Sequence, residues 1–189
     1  MSDLFSLLPL GPKQIDQAYP IVQSILPDLD VNVWREFAEQ VGARPEDQAG
    51  IITVQNQGYI HGLFSYAVEP HLIHDRLLLI DNFFVLDLFN PGAVAEALLD
   101  AVDKLAARLG CRGIHTALPK PVEEIAEPQD WILHRFRAYG HVIENITLCK
   151  EFPKAEPTEP AQPGSGGTSQ GGARVVTMAQ RRERCRFRM

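Results

Sequence analysis

Two polar residues, Asp81 and Asn82, interrupt an apolar run that extends from Leu77 to Ile80 and resumes from Phe83 to Leu86. A carboxylate in such surroundings is a candidate for proton transfer, or else a hydrogen-bonded structural acid at a strand edge. Just beyond the run, Asn90 is a good N-cap. Pro91 is a good first helical residue, because its fixed φ suits the first turn and its missing N–H would have had no partner there. A strand that leads into a helix N-terminus is a place where anions bind, since the first-turn N–H groups point outward and the helix dipole is positive. This stretch therefore offers proton transfer at Asp81 beside anion binding from Asn90 onward.

The elements that position these residues are legible around them. Leu77 to Leu86 carries apolar residues on both alternating faces, which suits a strand covered on each side. The following helix, from Pro91 to Leu109, places Val94, Leu98, Val102, Leu105 and Leu109 on one stripe and Glu96, Asp100, Lys104 and Arg108 on a solvated face. Gly110 stops it. Upstream, the pattern predicts a strand within Leu4 to Leu10, then helices over Ile15 to Leu26 and Val33 to Val41. Gly50 to Val54 and Tyr59 to Val68 read as a hairpin around a turn at Gln55 to Gly58, with Gly62 marking a bulge or a close approach. Glu69 to Asp75 reads as a polar connection. Downstream, a strand at Gly113 to Leu118, a helix at Asp130 to Tyr139 ended by Gly140, and a closing strand at Ile143 to Phe152 are expected. Three strands joined by short loops give an antiparallel meander, and the long helix then crosses over to a parallel neighbour.

The segment IDNFFVLDLFNPGAVAEALL, Ile80 to Leu99, resembles the acetyl-CoA-binding core of the GNAT superfamily, the Gcn5-related N-acetyltransferases. The resemblance implies an α/β fold, a GNAT-like mixed and mostly antiparallel sheet flanked by helices. The two helices after the first strand would then shape the acceptor side. In that family an acidic strand residue precedes Gln/Arg-x-x-Gly-x-Gly/Ala, whose backbone amides hold the cofactor pyrophosphate. The motif falls here on Asn90, Ala93 and Ala95, so the resemblance assigns the acetyl-CoA contact to Asn90, Gly92, Ala93, Val94 and Ala95. Only Ala95 keeps the family pattern. Asn90 lacks the charge and reach of arginine, Ala93 adds a methyl, and Pro91 removes an amide donor.

By the same resemblance, an amine attacks the thioester, a backbone N–H near Val85 polarises its carbonyl, Asp81 takes the ammonium proton, and Asn82 orients the acceptor. The segment WILHRFRAYGHVIENITLCKEF is also similar to the helix, glycine and final strand that follow the cofactor unit. Active members often carry a tyrosine acid four residues before that glycine, and Phe136 stands there instead. Tyr139 is about 300 degrees further round the helix and reads as a packing residue. The expected activity is N-acetyl transfer to an amine of unspecified structure; the rival is a catalytically weak or inactive acyl-CoA-binding or protein-interaction module. GNAT domains are often dimers, so a homodimer is an expected assembly.

Composition narrows the partners. Residues 153–189 hold seven of the 18 Lys and Arg but three of the 24 Asp and Glu, so the remainder of the chain is strongly acidic. That charge argues against nucleic acid as a partner of the folded part and suits an amine. The Pro-, Gly- and Ser-rich stretch after Phe152 is expected to be disordered, with an Arg-rich end, leaving residues 1–152 as the domain. Three scattered cysteines make no disulfide framework, with Cys111 and Cys149 expected in the core. His71, His74 and Asp75 have metal-binding chemistry without a second cluster of matching spacing, so a solvated loop is expected and no metal. The amino terminus lacks a basic n-region and no run is long enough to span a bilayer, so the expected location is the cytoplasm.

Overall fold

The computed structural model describes residues 5–118 and 131–143. Five strands form one mixed sheet: β1 (Ser6–Pro9), β2 (Ala49–Asn56), β3 (Tyr59–His71), β4 (Asp75–Val85) and β5 (Gly113–Thr116), side by side in chain order. Each of the first four neighbours the next in antiparallel fashion, and β5 runs parallel to β4. The helices are α1 (Ile15–Ile25), α2 (Val31–Gly42), α3 (Pro91–Arg108) and α4 (Trp131–Ala138). The expected closing strand and the tail lie outside the described residues.

The sheet separates two apolar layers. On one face α3 and α4 bury Val94, Leu98, Val102 and Phe136 against Phe64, Ile80 and Phe83. On the other, α1 and α2 bury Ile21, Val22 and Trp34 against Ile51, Leu63 and Phe84. The buried Trp34 keeps its indole N–H satisfied by donating to the Ile15 carbonyl at 2.7 Å. Arg35 ties α2 to Asp16 of α1 at 2.7 Å.

Local chemistry explains the joints. Asp30 caps α2 by accepting from Asn32 N–H at 2.8 Å, and Asn90 caps α3 by accepting from Ala93 N–H at 3.1 Å. The β2–β3 turn shrinks to Gln57 and Gly58, with φ of 50° and 84°, the pair of left-handed residues that a two-residue hairpin demands. Glu69 to Asp75 is not a loop: β3 continues to His71 and β4 starts at Asp75, leaving a turn of three residues between them. At this outer end of the sheet polar side chains stand in solvent, so a polar sequence is compatible with strand.

Two bulges lie beside each other. His61 is extra in β3 where Val54 opposes Gly62 and Gln55 opposes Ile60. Asn82 is extra in β4, where Leu63 opposes Phe84 and Ser65 opposes Asp81. An extra residue shifts the alternation of a strand by one. Ile80 and Phe83 consequently share the α3 face, while Phe84 turns toward α1 and α2. Gly62 supplies the close approach: a Cβ there would lie 2.9 Å from Val94 Cγ1 and 3.0 Å from the Phe84 carbonyl.

Candidate functional site

The ladder between β4 and β5 ends at Ile80 opposite Thr116, with one more bond from Ala117 N–H to the Ile80 carbonyl at 2.9 Å. From Asp81 to Val85, β4 is paired with β3 alone among the described residues. Among the described residues the backbone of β4 is thus open on its β5 side over the five residues that precede the helix-leading loop. At the mouth of this opening the buried Thr116 hydroxyl finds no hydrogen-bond partner among the described residues.

Asp81 lies opposite Ser65, which lies opposite Ile51, so all three share the face covered by α1 and α2. The Asp81 side chain reaches solvent, yet its pKa is pushed above the usual 3.8, first by apolar surroundings that penalise the charge and then by Glu69. Asn82 sits at the bulge with φ of 52°. Its Nδ2 donates to Ser65 Oγ at 2.9 Å, and Ser65 Oγ donates to the Asp81 carbonyl at 3.1 Å. These bonds give Asn82 a role in pinning the bulge that the sequence pattern left open. Asn82→Ala is expected to cost about 2 kcal/mol, from the lost bond and from alanine's poorer tolerance of positive φ than asparagine's, and Asn82→Gly about half of that, because glycine adopts this φ freely. Thermal unfolding of the two variants checks the order.

The loop after β4 is organised by a residue that sequence reasoning passed over. Asp87 Oδ1 accepts from Phe89 N–H at 2.8 Å and Asn90 N–H at 2.7 Å, while Oδ2 accepts from His61 Nδ1 at 2.9 Å. The Asn90 amide, then the Phe89 amide and His61, lower the Asp87 pKa below 3.8 against the opposing effect of burial. The available signal was an aspartate ahead of a turn, which commonly accepts from amides two and three residues on. His61 reaches the loop because it is the bulged residue of β3, and its carbonyl accepts from Leu86 N–H at 2.8 Å.

At the start of α3, Pro91 offers no donor, Ala93 N–H is used by Asn90 Oδ1, and Val94 N–H reaches the Asn90 carbonyl at 3.4 Å. Gly92 N–H is left as the first-turn donor without a partner among the described residues. Val94 and Ala95 are completely buried, so any role they have toward a ligand falls to their backbones. Val85 is half-buried and stands opposite Gly62 at the strand end, next to this loop. The structure therefore groups Val85, Asn90, Gly92 and Ala93 around one loop and sets Asp81 further back along β4.

Helix α4 covers part of the α3 surface that the charge pattern suggested was solvated. Arg135 pairs with Glu96, and Tyr139 just after α4 donates to Asp100 Oδ1 at 2.9 Å. Burial and Asp100 raise the Tyr139 pKa. Phe136 is 3% exposed and packs edge-on to Phe83 with ring centroids 4.9 Å apart. At the far end of the sheet His74 stacks on His71 at 5.0 Å, and His115 of β5 joins them. No group of three His, Cys, Asp or Glu with metal-holding geometry occurs among the described residues. Cys111 is partly buried against the α3 core, and Cys149 lies outside the described residues. None of the described helices is long and apolar enough to cross a membrane.

The antiparallel meander and the crossover through α3 to a parallel strand make an α/β, GNAT-like fold, and solved structures agree in overall fold. The aminoglycoside N-acetyltransferase AAC(6')-Iy in complex with CoA is 14% identical with a TM-score of 0.63, over 78% of this chain and 94% of that one. Glucosamine-6-phosphate N-acetyltransferase from Arabidopsis thaliana is 14% identical with a TM-score of 0.59, over 80% of this chain and 100% of that one. A transcriptional regulator from Bacillus halodurans C-125 is also 14% identical, with a TM-score of 0.64, over 78% of this chain and 99% of that one. The likeness is one of fold. No protein-family model matches the sequence, and no curated protein matches it.

Proposed function

We propose that this chain is a cytoplasmic N-acetyltransferase that moves the acetyl group of acetyl-CoA to a primary amine, with residues 1–152 as the catalytic unit and residues 153–189 outside it. The observation that carries this reading is the stretch of β4 that, among the described residues, is paired on its β3 side alone and leads straight to a helix start with an open amide. The residues present fit such a donor: among the described residues neither Gly92 N–H nor the Thr116 hydroxyl beside the opening has a hydrogen-bond partner. A neighbour of similar fold solved in complex with CoA adds support.

In this reading the amine nitrogen attacks the thioester carbonyl, an amide bond forms, and the carbon–sulfur bond breaks with CoA leaving as thiolate. Holding the two reactants together supplies much of the rate. The Val85 backbone N–H polarises the carbonyl. Asp81 lies four residues back along β4 from Val85, with the bulge at Asn82 between them, so the ammonium proton reaches the Asp81 carboxylate through water. The thiolate takes its proton from water, because Phe136 has none to give and Tyr139 donates toward Asp100. A second reading, an acyl-CoA-binding module with weak or no chemistry, is favoured by the burial of Phe136 and by Asp87 occupying two loop amides.

The test is a calorimetric titration of acetyl-CoA into the full chain, followed by a screen of amines for thiol release, with Asp81→Asn as the control. The expected outcome is saturable binding in both proteins and a fall in kcat of about 100-fold or more in the variant. Turnover should also lose its acidic limb in the variant, since Asp81 works as carboxylate and its raised pKa places the fall in rate above pH 3.8. Stability should move the other way. A raised carboxyl pKa means that ionisation disfavours the fold, a penalty absent below the ordinary value and complete above the raised one. Asp81→Asn should therefore gain about 1–2 °C in Tm at neutral pH and nothing near pH 3. Binding with unchanged turnover in the variant would remove Asp81 from the chemistry; no binding at millimolar acetyl-CoA would remove the enzyme.

A further inference from the structure

We infer that Arg135 of α4 is the cation that holds the CoA diphosphate, a role that rests on the acyl-donor reading above. The start of α3 is poor in donors for a ligand that carries two negative charges: Asn90 is neutral, Pro91 has no N–H, and the amides of Phe89, Asn90 and Ala93 already serve side-chain oxygens of this chain. The Asp87 carboxylate adds a like charge in the same loop. An anion held there by Gly92 N–H alone would be held weakly.

Arg135 answers this deficit from outside the loop. Ile132 and Phe136 anchor α4 in the α3 core, which brings the residue between them to the helix start. Its Nη1 is held by Glu96, one turn into α3. Its Nη2 extends over Gly92, so that a Cβ built on Gly92 would lie 2.9 Å from Nη2 and 3.5 Å from Cζ. The guanidinium is thus split between two duties: one nitrogen is tethered by a carboxylate, and the other overhangs the residue whose amide is open. A phosphate oxygen accepting from Gly92 N–H meets Nη2 as a second, charged donor. Gly92 leaves room for this arrangement, since a Cβ there would push the guanidinium end aside. Arg135 is a positioning and binding residue here, remote from the thioester, and Glu96 aims it.

The experiment is calorimetric titration of CoA and of dephospho-CoA, which keeps the diphosphate and lacks the 3′-phosphate, into the full-length wild type, Arg135→Gln and Arg135→Lys. Arg135→Gln is expected to weaken both ligands by the same factor, about 10- to 100-fold, with Arg135→Lys losing less because a point charge replaces a fork. Wild-type binding should also weaken more steeply with added salt than binding to Arg135→Gln, which a merely structural role would not produce. If the glutamine variant does not fold, the lysine variant carries the comparison, and an affinity equal to wild type overturns the inference. A loss confined to CoA would assign Arg135 to the 3′-phosphate and overturn it as well. Wild type and both variants binding alike would sink the role of Arg135 and leave the acyl-donor site standing, whereas no binding by wild type would sink the acyl-donor reading itself.

Discussion

Ala93→Glu should reduce the affinity for acetyl-CoA by about 100-fold or more while leaving Tm unchanged or slightly higher. Ala93 is the third residue of α3 and partly exposed, with its N–H held by Asn90. A glutamate at the third position of a helix is favourable, because its charge complements the dipole and its side chain can reach back to the N-cap. In the proposed site the same charge would face a diphosphate, and at about 5 Å with an effective dielectric near 20 the repulsion would be about 3 kcal/mol per charge pair. It would also compete with the ligand for Arg135. The opposite signs on binding and stability separate a ligand effect from a folding defect, and calorimetric titration alongside thermal unfolding reads both. Undiminished binding would place the donor somewhere other than the start of α3.

Gly62→Val is expected to be the most damaging single change to the fold, lowering stability by about 3 kcal/mol. The first added carbon meets Val94 Cγ1 at 2.9 Å, Leu98 Cδ1 at 3.0 Å and the Phe84 carbonyl at 3.0 Å. A flexible side-chain end can turn aside, but a backbone carbonyl within a sheet cannot. Relief therefore requires α3 to lift from the sheet, at the end where Val94 belongs to its first turns. A drop in Tm of about 6–12 °C is expected from thermal unfolding. Gly62→Ala, which meets the same three atoms with one carbon, should show a smaller drop of the same origin.

The helices were the readable part of this chain, because a stripe of apolar residues together with Asn90 and Pro91 states both where α3 starts and which face it buries. The β4–α3–β5 crossover followed from it, and the likeness of Ile80–Leu99 to a known cofactor unit pointed to the fold that the structure shows. What escaped notice depends on residues far apart in sequence. Arg135 looks like a surface residue of a short helix and Tyr139 like a packing residue with no named partner, and Glu96 and Asp100 look like surface residues of a long helix; only the packing of α4 on α3 joins them. Short-range reading also cut β3 and β4 too short at His71 and Asp75, since it equated polar with irregular. The bulge at Asn82 did leave a trace. Leu78, Ile80 and Phe83 lie on one face of β4, and no unbroken alternation of two can hold all three.

That extra residue couples the two apolar layers. Ile80 and Phe83 fill the α3 side and Phe84 fills the α1 and α2 side only while Asn82 stands between Asp81 and Phe83 as an unpaired step. Deleting one residue here would exchange the surroundings of Phe83 and Phe84, opening holes in both layers together. The strand accordingly tolerates changes of residue type at 81 and 82 far better than a change in chain length, and length variation compatible with this architecture has to come in steps of two or be absorbed in the loop from Leu86 to Asn90.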